Sequence, residues 1–523
     1  MMIFSTHIWI RRTWLQKAFI RIGVLLALTG LCWRCEGALQ NDMNKEMVPF
    51  SQNSVPLIDS LIAAVRDSYG VPGLAAAIVQ GDSVYTAAVG IRNEEGSPLL
   101  VTTPIHAGTL SEPMLAYATL LLERSGKIDL EDKVVTHLPY FKMQGESYKL
   151  ISIRHLLTHS SGIENYTLFY DSPSFNPNAP ETTTRSIGTQ RPRWQLPEIQ
   201  VLRSAYNYDI LSDLINKVTG QPFEAYVRET VFKRLGMADS YFHRREGAAE
   251  PFYTTHYLDY SYRRQPVYPY NREHGGSRGL HISAKDLGHW LFNVLHGDNP
   301  IFFSKELNTS GHTAVGFGWE IVTDTAGYEI YTKESAISGF TGQLIAIPSL
   351  KIGVGVLANI NSDLDVSRMA TVLTSWLRKR ETLMLKMPVH IPMAKQIKTS
   401  RDVASSLCLF RKLKRDEPEA YDFSATSLLQ LAGNLLHREK HTEQAIELLR
   451  FCSEEFLRSA QVPLRLAEAY LEKEDLMNCR LQIQKAWAAP DDTTGRWTMV
   501  RFLEEKMEMV EEQKRLPIPE SPI

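Results

Sequence analysis

Thr109 and Glu112 are spaced for nucleophilic chemistry. They sit in the stretch Ile105-His106-Ala107-Gly108-Thr109-Leu110-Ser111-Glu112-Pro113-Met114. Apolar residues follow at helical spacing (Met114, Leu115, Ala118, Leu121, Leu122), so a helix opens here, and Pro113 suits its first turn. Residues three apart on a helix share a face one turn apart. A hydroxyl becomes a nucleophile when a neighbouring base takes its proton, and a carboxylate is one such base. Ser111 is a second hydroxyl, but it lies about 200° around the helix from Thr109 and so points elsewhere.

These side chains need elements to position them. Pro56 to Tyr69 reads as an amphipathic helix with Leu57, Leu61, Ala64 and Val65 on one face, ended by Gly70 and Pro72. Leu74 to Val79 and Val84 to Val89 read as strands joined by Gly81-Asp82, a hairpin signal. After the Glu112 helix, Ser125-Gly126-Lys127 forms its stop. Ile151 to Ile163 holds a short helix closed by Gly162. Residues 165–200 are rich in Pro, Ser, Thr and Asn and read as a long loop over a cleft. Leu202 to Val218 and Phe223 to Leu235 read as helices, and 243–275 as a Tyr- and His-rich loop. Ser283 is a suitable N-cap for a helix from Ala284 to Leu295, with Asp286 in its first turn. Val315 to Ile321, Glu329 to Tyr331, Gln343 to Ile347 and Ile352 to Asn359 read as strands, followed by a helix over 365–379. Late strands pairing with an early hairpin, with helices between, imply an α+β fold: an antiparallel sheet flanked by helices, with an inserted helical region.

The 523 residues suggest more than one domain, and a formal net charge of -2 gives no electrostatic case for nucleic acid. Arg11, Arg12, Lys17 and Arg21 precede an apolar run from Ile22 to Trp33 and the small residues around Gly37. That order is the pattern of a secretory signal, so 1–38 is expected to export the chain to the periplasm or outside, or to anchor it. Residues 39–54 read as a linker, 55–380 as the main domain, 381–422 as an irregular basic linker, and 423–515 as an all-α segment. In that last segment Ala432 and Ala467 are 35 apart, and Ala445 and Cys479 are 34 apart. This is a period near the tetratricopeptide repeat. Its two expected roles are docking on the main domain and binding a protein partner. Of five cysteines, Cys408, Cys452 and Cys479 lie in the C-terminal part, where one disulfide pair is open. No spacing suggests a metal site, and no cofactor is implied.

Several stretches together resemble the serine β-lactamase-like family, in its class C β-lactamase, esterase and D-aminopeptidase branch. Ile153-Arg154-His155-Leu156-Leu157-Thr158-His159-Ser160-Ser161-Gly162-Ile163 is similar to the family's TIRHLLTHTSGL stretch. Leu120 to Leu138, Lys217-Val218-Thr219-Gly220, Val231 to Met237, Gly279-Leu280 with Ser283 to Leu287, Gly316-Phe317-Gly318-Trp319 and Ser338-Gly339-Phe340 match further segments in order. The resemblance covers roughly 55–380. It implies a site built from S-x-x-K on a helix, Y-x-N on a second element, and K-T-G or H-x-G on a strand whose backbone helps hold an oxyanion.

Carried over residue by residue, S-x-x-K falls on Thr109 and Glu112. Y-x-N, counted back from Val218-Thr219-Gly220, falls on Arg203-Ser204-Ala205, and a shift of three residues would offer Tyr206. K-x-G falls on Lys333-Glu334-Ser335. Thr109, Glu112 and Lys333 therefore hold the family's catalytic positions, with Arg203, Ser204, Ser335 and Gly339 expected around the cleft. Glu112 is expected to pair with Arg203 or Lys333 in place of the proton relay. The family assigns His159 and Ser160 to packing a helix end beneath the site, and His106, His274 and His281 read as loop or core histidines. The expected function is a catalytically impaired member that binds a peptide, ester or cell-wall-like ligand. The alternatives are an active hydrolase of esters, amides or D-amino-acid peptides centred on Thr109, and an interaction protein working through the helical tail. Aromatic residues in the two loops (Tyr166, Tyr170, Trp194, Tyr253, Tyr257, Tyr260, Tyr262) suit stacking on many ligands.

Overall fold

The computed structural model describes residues 48–165, 174–198, 200–242, 253–255, 262–264, 268–297, 300–309, 311–361, 366–379, 385–490 and 496–515. The expected signal at 1–38, Tyr166, Tyr170, Tyr257 and Tyr260 lie outside the described residues. Among those described, no helix is long and apolar enough to cross a membrane.

A nine-stranded sheet organises the main domain. Its strands are β1 (Val48–Pro49), β2 (Gly73–Gln80), β3 (Ser83–Gly90), β6 (Leu307–Asn308), β7 (Thr313–Val315), β8 (Glu320–Thr323), β9 (Glu329–Ile337), β10 (Phe340–Ile347) and β11 (Ile352–Ala358). Two short strands apart from it, β4 (Ile105–Gly108) and β5 (Leu280–Ile282), pair with each other. The order across the sheet is β1-β3-β2-β11-β10-β9-β8-β7-β6, antiparallel throughout except for the parallel β1–β3 edge. The early hairpin thus pairs with the late strands, as the sequence implies.

Strand β2 is apolar almost throughout because both its faces are covered. Ala75, Ala77 and Val79 enter one core, and Leu74, Ala76 and Ile78 the other. The first core holds α2 (Ser111–Arg124), α3 (Ile153–Leu157), α4 (Ala205–Thr219) and α5 (Ala284–His296). Helix α5 lies close on the sheet; a Cβ at Gly355 would come 2.5 Å from Leu287 Cδ2. Its N-cap is Ser283, whose hydroxyl accepts from Asp286 N at 3.1 Å. The second core holds α1 (Val55–Tyr69), α6 (Val366–Lys379) and the C-terminal helices.

Three expectations need correction. The segment 381–422 is not an irregular linker. Its described part forms α7 (His390–Ser400) and α8 (Val403–Asp416), which bury Ile391, Met393, Ala394, Ile397, Val403 and Phe410. The charges dominate its composition, but apolar residues at helical spacing decide its structure. Val315 to Ile321 is not one strand, because the chain turns at Gly316–Trp319 and β7 and β8 pair antiparallel. The 165–200 region contains a helix, Ala179–Ser186, packed against α4.

The C-terminal part continues with α9 (Ala425–Gly433), α10 (Thr442–Glu455), α11 (Gln461–Glu472), α12 (Leu476–Ala488) and α13 (Arg496–Arg515). Ala432, Ala445, Ala467 and Cys479, the small residues at near-repeat spacing, are all fully buried. Small side chains there let neighbouring helices approach closely. Met369, Leu373 and Leu377 of α6 belong to the same core as these helices, and Arg368 pairs with Asp422 at 2.7 Å. Cys408, Cys452 and Cys479 are free thiols.

Candidate functional site

Thr109 stands in the turn between β4 and α2. The helix itself starts at Ser111, two residues later than the spacing alone suggests, yet the Glu112 amide donates to Thr109 O at 3.1 Å and keeps the two one turn apart. Ser111 staples this junction. Its hydroxyl donates to Gly108 O at 2.6 Å and accepts from Leu280 N at 2.9 Å, so it is buried and occupied. The opposite side of the helix start meets the turn before β8. Gly318 has φ +80°, and a Cβ there would come 2.7 Å from the Pro113 Cα.

Strand β9 supplies the facing wall. Alternation along a strand sends Tyr331, Lys333, Ser335 and Ile337 to one buried face, while Glu334 and Ala336 are exposed. Lys333 donates its ammonium proton to Glu112 Oε2, and both side chains are buried. The same Oε2 lies 3.2 Å from His159 Nε2. The partners of the imidazole fix its tautomer. Nδ1 accepts from Ser204 N at 3.3 Å and faces the Asn207 amide nitrogen at 3.0 Å, whose own oxygen accepts from the Ser161 hydroxyl at 2.6 Å. The proton therefore sits on Nε2, pointing at Glu112.

Burial alone would raise the Glu112 pKa. The Lys333 charge and then His159 outweigh it and hold the carboxyl down to about 2. Glu112 is thus an ionised acid whose Oε2 is held by two donors. The Thr109 hydroxyl does not address it, but donates to the Glu334 carbonyl at 2.6 Å. The Thr109 amide donates to Ser335 Oγ at 3.1 Å. Tyr208 is buried behind, its hydroxyl donating to Leu157 O at 2.8 Å; burial and then the Glu112 charge push its phenol well above its ordinary value.

The structure brings together Thr109, Glu112, Lys333 and Ser335. It does not bring Arg203 to Glu112. Arg203 is exposed and pairs with Glu320 at 2.6 Å, so Lys333 alone of the two expected cations fills that role. The reason is reach and cost: a guanidinium near the surface keeps its hydration, while the strand face already buries Lys333. Ser204 is buried, holding His159 through its amide and Asn165 Oδ1 through its hydroxyl at 3.1 Å. Gly339 makes the two-residue turn between β9 and β10, with φ +83°. Neither position needs a ligand to explain it. Sequence reasoning gave His159 to packing and missed Asn207. Their signal was a shared polarity at the two element ends that meet under Glu112. His274 pairs with Asp209 at 2.7 Å in the core, and His281 with the Tyr268 hydroxyl at 2.9 Å, away from this cluster's hydrogen bonds. Among the described residues no cluster of three or more His, Cys, Asp or Glu is placed to hold a metal.

A family model described as Beta-lactamase matches residues 58–374, more than half of the chain. This chain belongs to the beta-lactamase family. PbpX of Bacillus subtilis (strain 168), whose name marks it as a penicillin-binding protein, is 25% identical over 312 residues, 58% of this chain and 74% of its own. Protein flp of Staphylococcus aureus (strain MRSA252) is 25% identical over 332 residues, 60% of this chain and 64% of its own, so the chain spans just under two thirds of that relative. Among solved structures, a class C beta-lactamase is similar with a TM-score of 0.53 and 18% identity, covering 62% of this chain and 96% of its own. That last likeness concerns the fold. Within the matched residues, the positions that the motif resemblance marks carry a threonine, a buried acid and a buried lysine.

Proposed function

We propose that this protein is a beta-lactamase-family member that binds a ligand in its cleft without turning it over, exported to the cell envelope or beyond. The observation that carries this reading is the state of Glu112. It occupies the place of the family's lysine, one turn from the hydroxyl, yet Lys333 and His159 hold it ionised and occupied. A carboxylate held near pKa 2 is too weak a base to take a proton from threonine at neutral pH. The residue one turn from Thr109 is an acid, and the Lys333 ammonium beside it is engaged with Glu112 while the Thr109 hydroxyl donates to the Glu334 carbonyl. The basic and apolar N-terminal sequence supports export, and the name of the Bacillus subtilis relative supports a ligand of the penicillin kind.

The test is covalent labelling of the purified protein with a fluorescent penicillin and a fluorophosphonate. No labelled band is expected. A band that disappears in Thr109→Ala would refute the reading and establish Thr109 as a nucleophile, the premise of the Thr109-centred hydrolase.

A further inference from the structure

Acyl-transfer sites hold the developing carbonyl oxygen with fixed N–H donors, one of which is commonly the backbone amide of the nucleophile residue itself. Here that amide would be Thr109 N. It already donates to Ser335 Oγ at 3.1 Å, within the range at which such a donor meets an oxyanion. Ser335 stands where the K-T-G and H-x-G patterns carry glycine, so the hydroxyl is an addition to the site. Its seat is tight. Gly108 adopts φ +53°, and a Cβ at Gly108 would come 2.2 Å from Ser335 Oγ, so the hydroxyl rests directly on the backbone at Gly108–Thr109. Strand alternation leaves it no other direction: Ser335 shares the inward face with Lys333 and Ile337 and is buried.

We infer that Ser335 is a built-in occupant of the acyl-oxygen position, closing the cleft to ligands that must place a carbonyl or tetrahedral oxygen on the Thr109 amide. The inference rests on the reading of the cleft given above and adds a second obstacle independent of Glu112. It makes residue 335 a specificity determinant. With serine, the cleft selects against ligands that depend on that oxygen contact; with glycine, it admits them.

Hydrogen exchange at the Thr109 amide, read by mass spectrometry with fragmentation to single residues, tests the contact directly. Wild type is expected to be protected there. Ser335→Gly and Ser335→Ala should exchange at least ~10-fold faster at Thr109, while the Leu280 amide, held by Ser111, stays unchanged as a folding control. Phenylphosphonate, a non-covalent probe with tetrahedral oxygens, should bind Ser335→Gly at least ~10-fold more tightly than wild type. Unchanged Thr109 exchange in both variants, or equal phosphonate affinity, overturns the inference. The reading of Glu112 fails separately, by covalent labelling of wild type through Thr109, an outcome that does not depend on the Thr109 amide.

Discussion

Among the described residues, two buried pairs of a carboxylate with a lysine or arginine do different things. Glu112–Lys333 joins a helix start to a strand in the cleft. Glu224–Arg272 joins the α4-following helix to the 272–274 turn at 2.8 Å, and both partners are buried. Arg272 also donates to the carbonyls of Asn176 at 3.1 Å and Pro177 at 2.9 Å. Its planar fork reaches three acceptors and pins the start of the 174–189 segment, a job a lysine point charge does poorly. Lys333 does the opposite: it concentrates on one carboxylate oxygen, which His159 shares. The pair in the loop region holds architecture. The Glu112–Lys333 pair, with His159 on the same carboxylate oxygen, ties the start of α2 to β9 and to the turn after α3.

The contrast breaks if the two pairs respond alike. Lys333→Met should leave Glu112 buried without its cation and cost about 3–5 kcal/mol in urea unfolding at neutral pH. Adding Glu112→Gln to it should recover most of that loss, since the uncompensated charge is then gone. Arg272→Met should cost about 3 kcal/mol, and it alone should open the 174–189 segment to limited proteolysis, leaving cuts near Lys333 unchanged.

Acid should expose the cleft pair. The Glu112 pKa is depressed in the folded state, so its contribution is complete above its unfolded value of about 4.5 and is lost as pH falls toward about 2. A shift of that size is worth about 3 kcal/mol. Wild type should therefore lose stability more steeply than Glu112→Gln between those limits, in urea midpoints taken across the pH range. A parallel pair of curves would count against the ionised, clamped carboxylate. The smallest effect belongs to Arg203→Ala. Its exposed bridge to Glu320 should be worth under about 1 kcal/mol and fade with added salt; a larger loss would return Arg203 to the cleft.

Much of the scaffold was legible because its signals are local. The β2–β3 hairpin, helix α1 with its Gly70 stop, the Ser283 cap and the late strands follow from periodicity and turn residues. The α7–α8 region was not, because basic side chains on the outer face masked an apolar stripe that only matters once α6 and the tail helices are there to cover it. The Gly316–Trp319 turn was hidden in an apolar run; its cause lies at Pro113, far away in sequence, against which only a glycine fits at 318. At the site, spacing paired Thr109 with Glu112 and the family resemblance marked Lys333 and Ser335, while the contact of His159 with Asn207 showed only once their two elements met in space.

The sequence by itself determined the fold family, through the order of stretches such as Ile153 to Ile163 that resemble the beta-lactamase family, and through that resemblance it marked Thr109, Glu112, Lys333 and Ser335 as site candidates. Periodicity and turn residues added the local elements, because they act within a few residues. Only the tertiary structure decided what those residues do to one another. Whether Glu112 met Arg203 or Lys333, whether His159 faced it as donor, and whether Ser335 lay on the Thr109 amide all depended on which buried faces the sheet and helices present. Charge pairing and hydrogen bonding act over a few ångströms of space, and the folded core sets those distances.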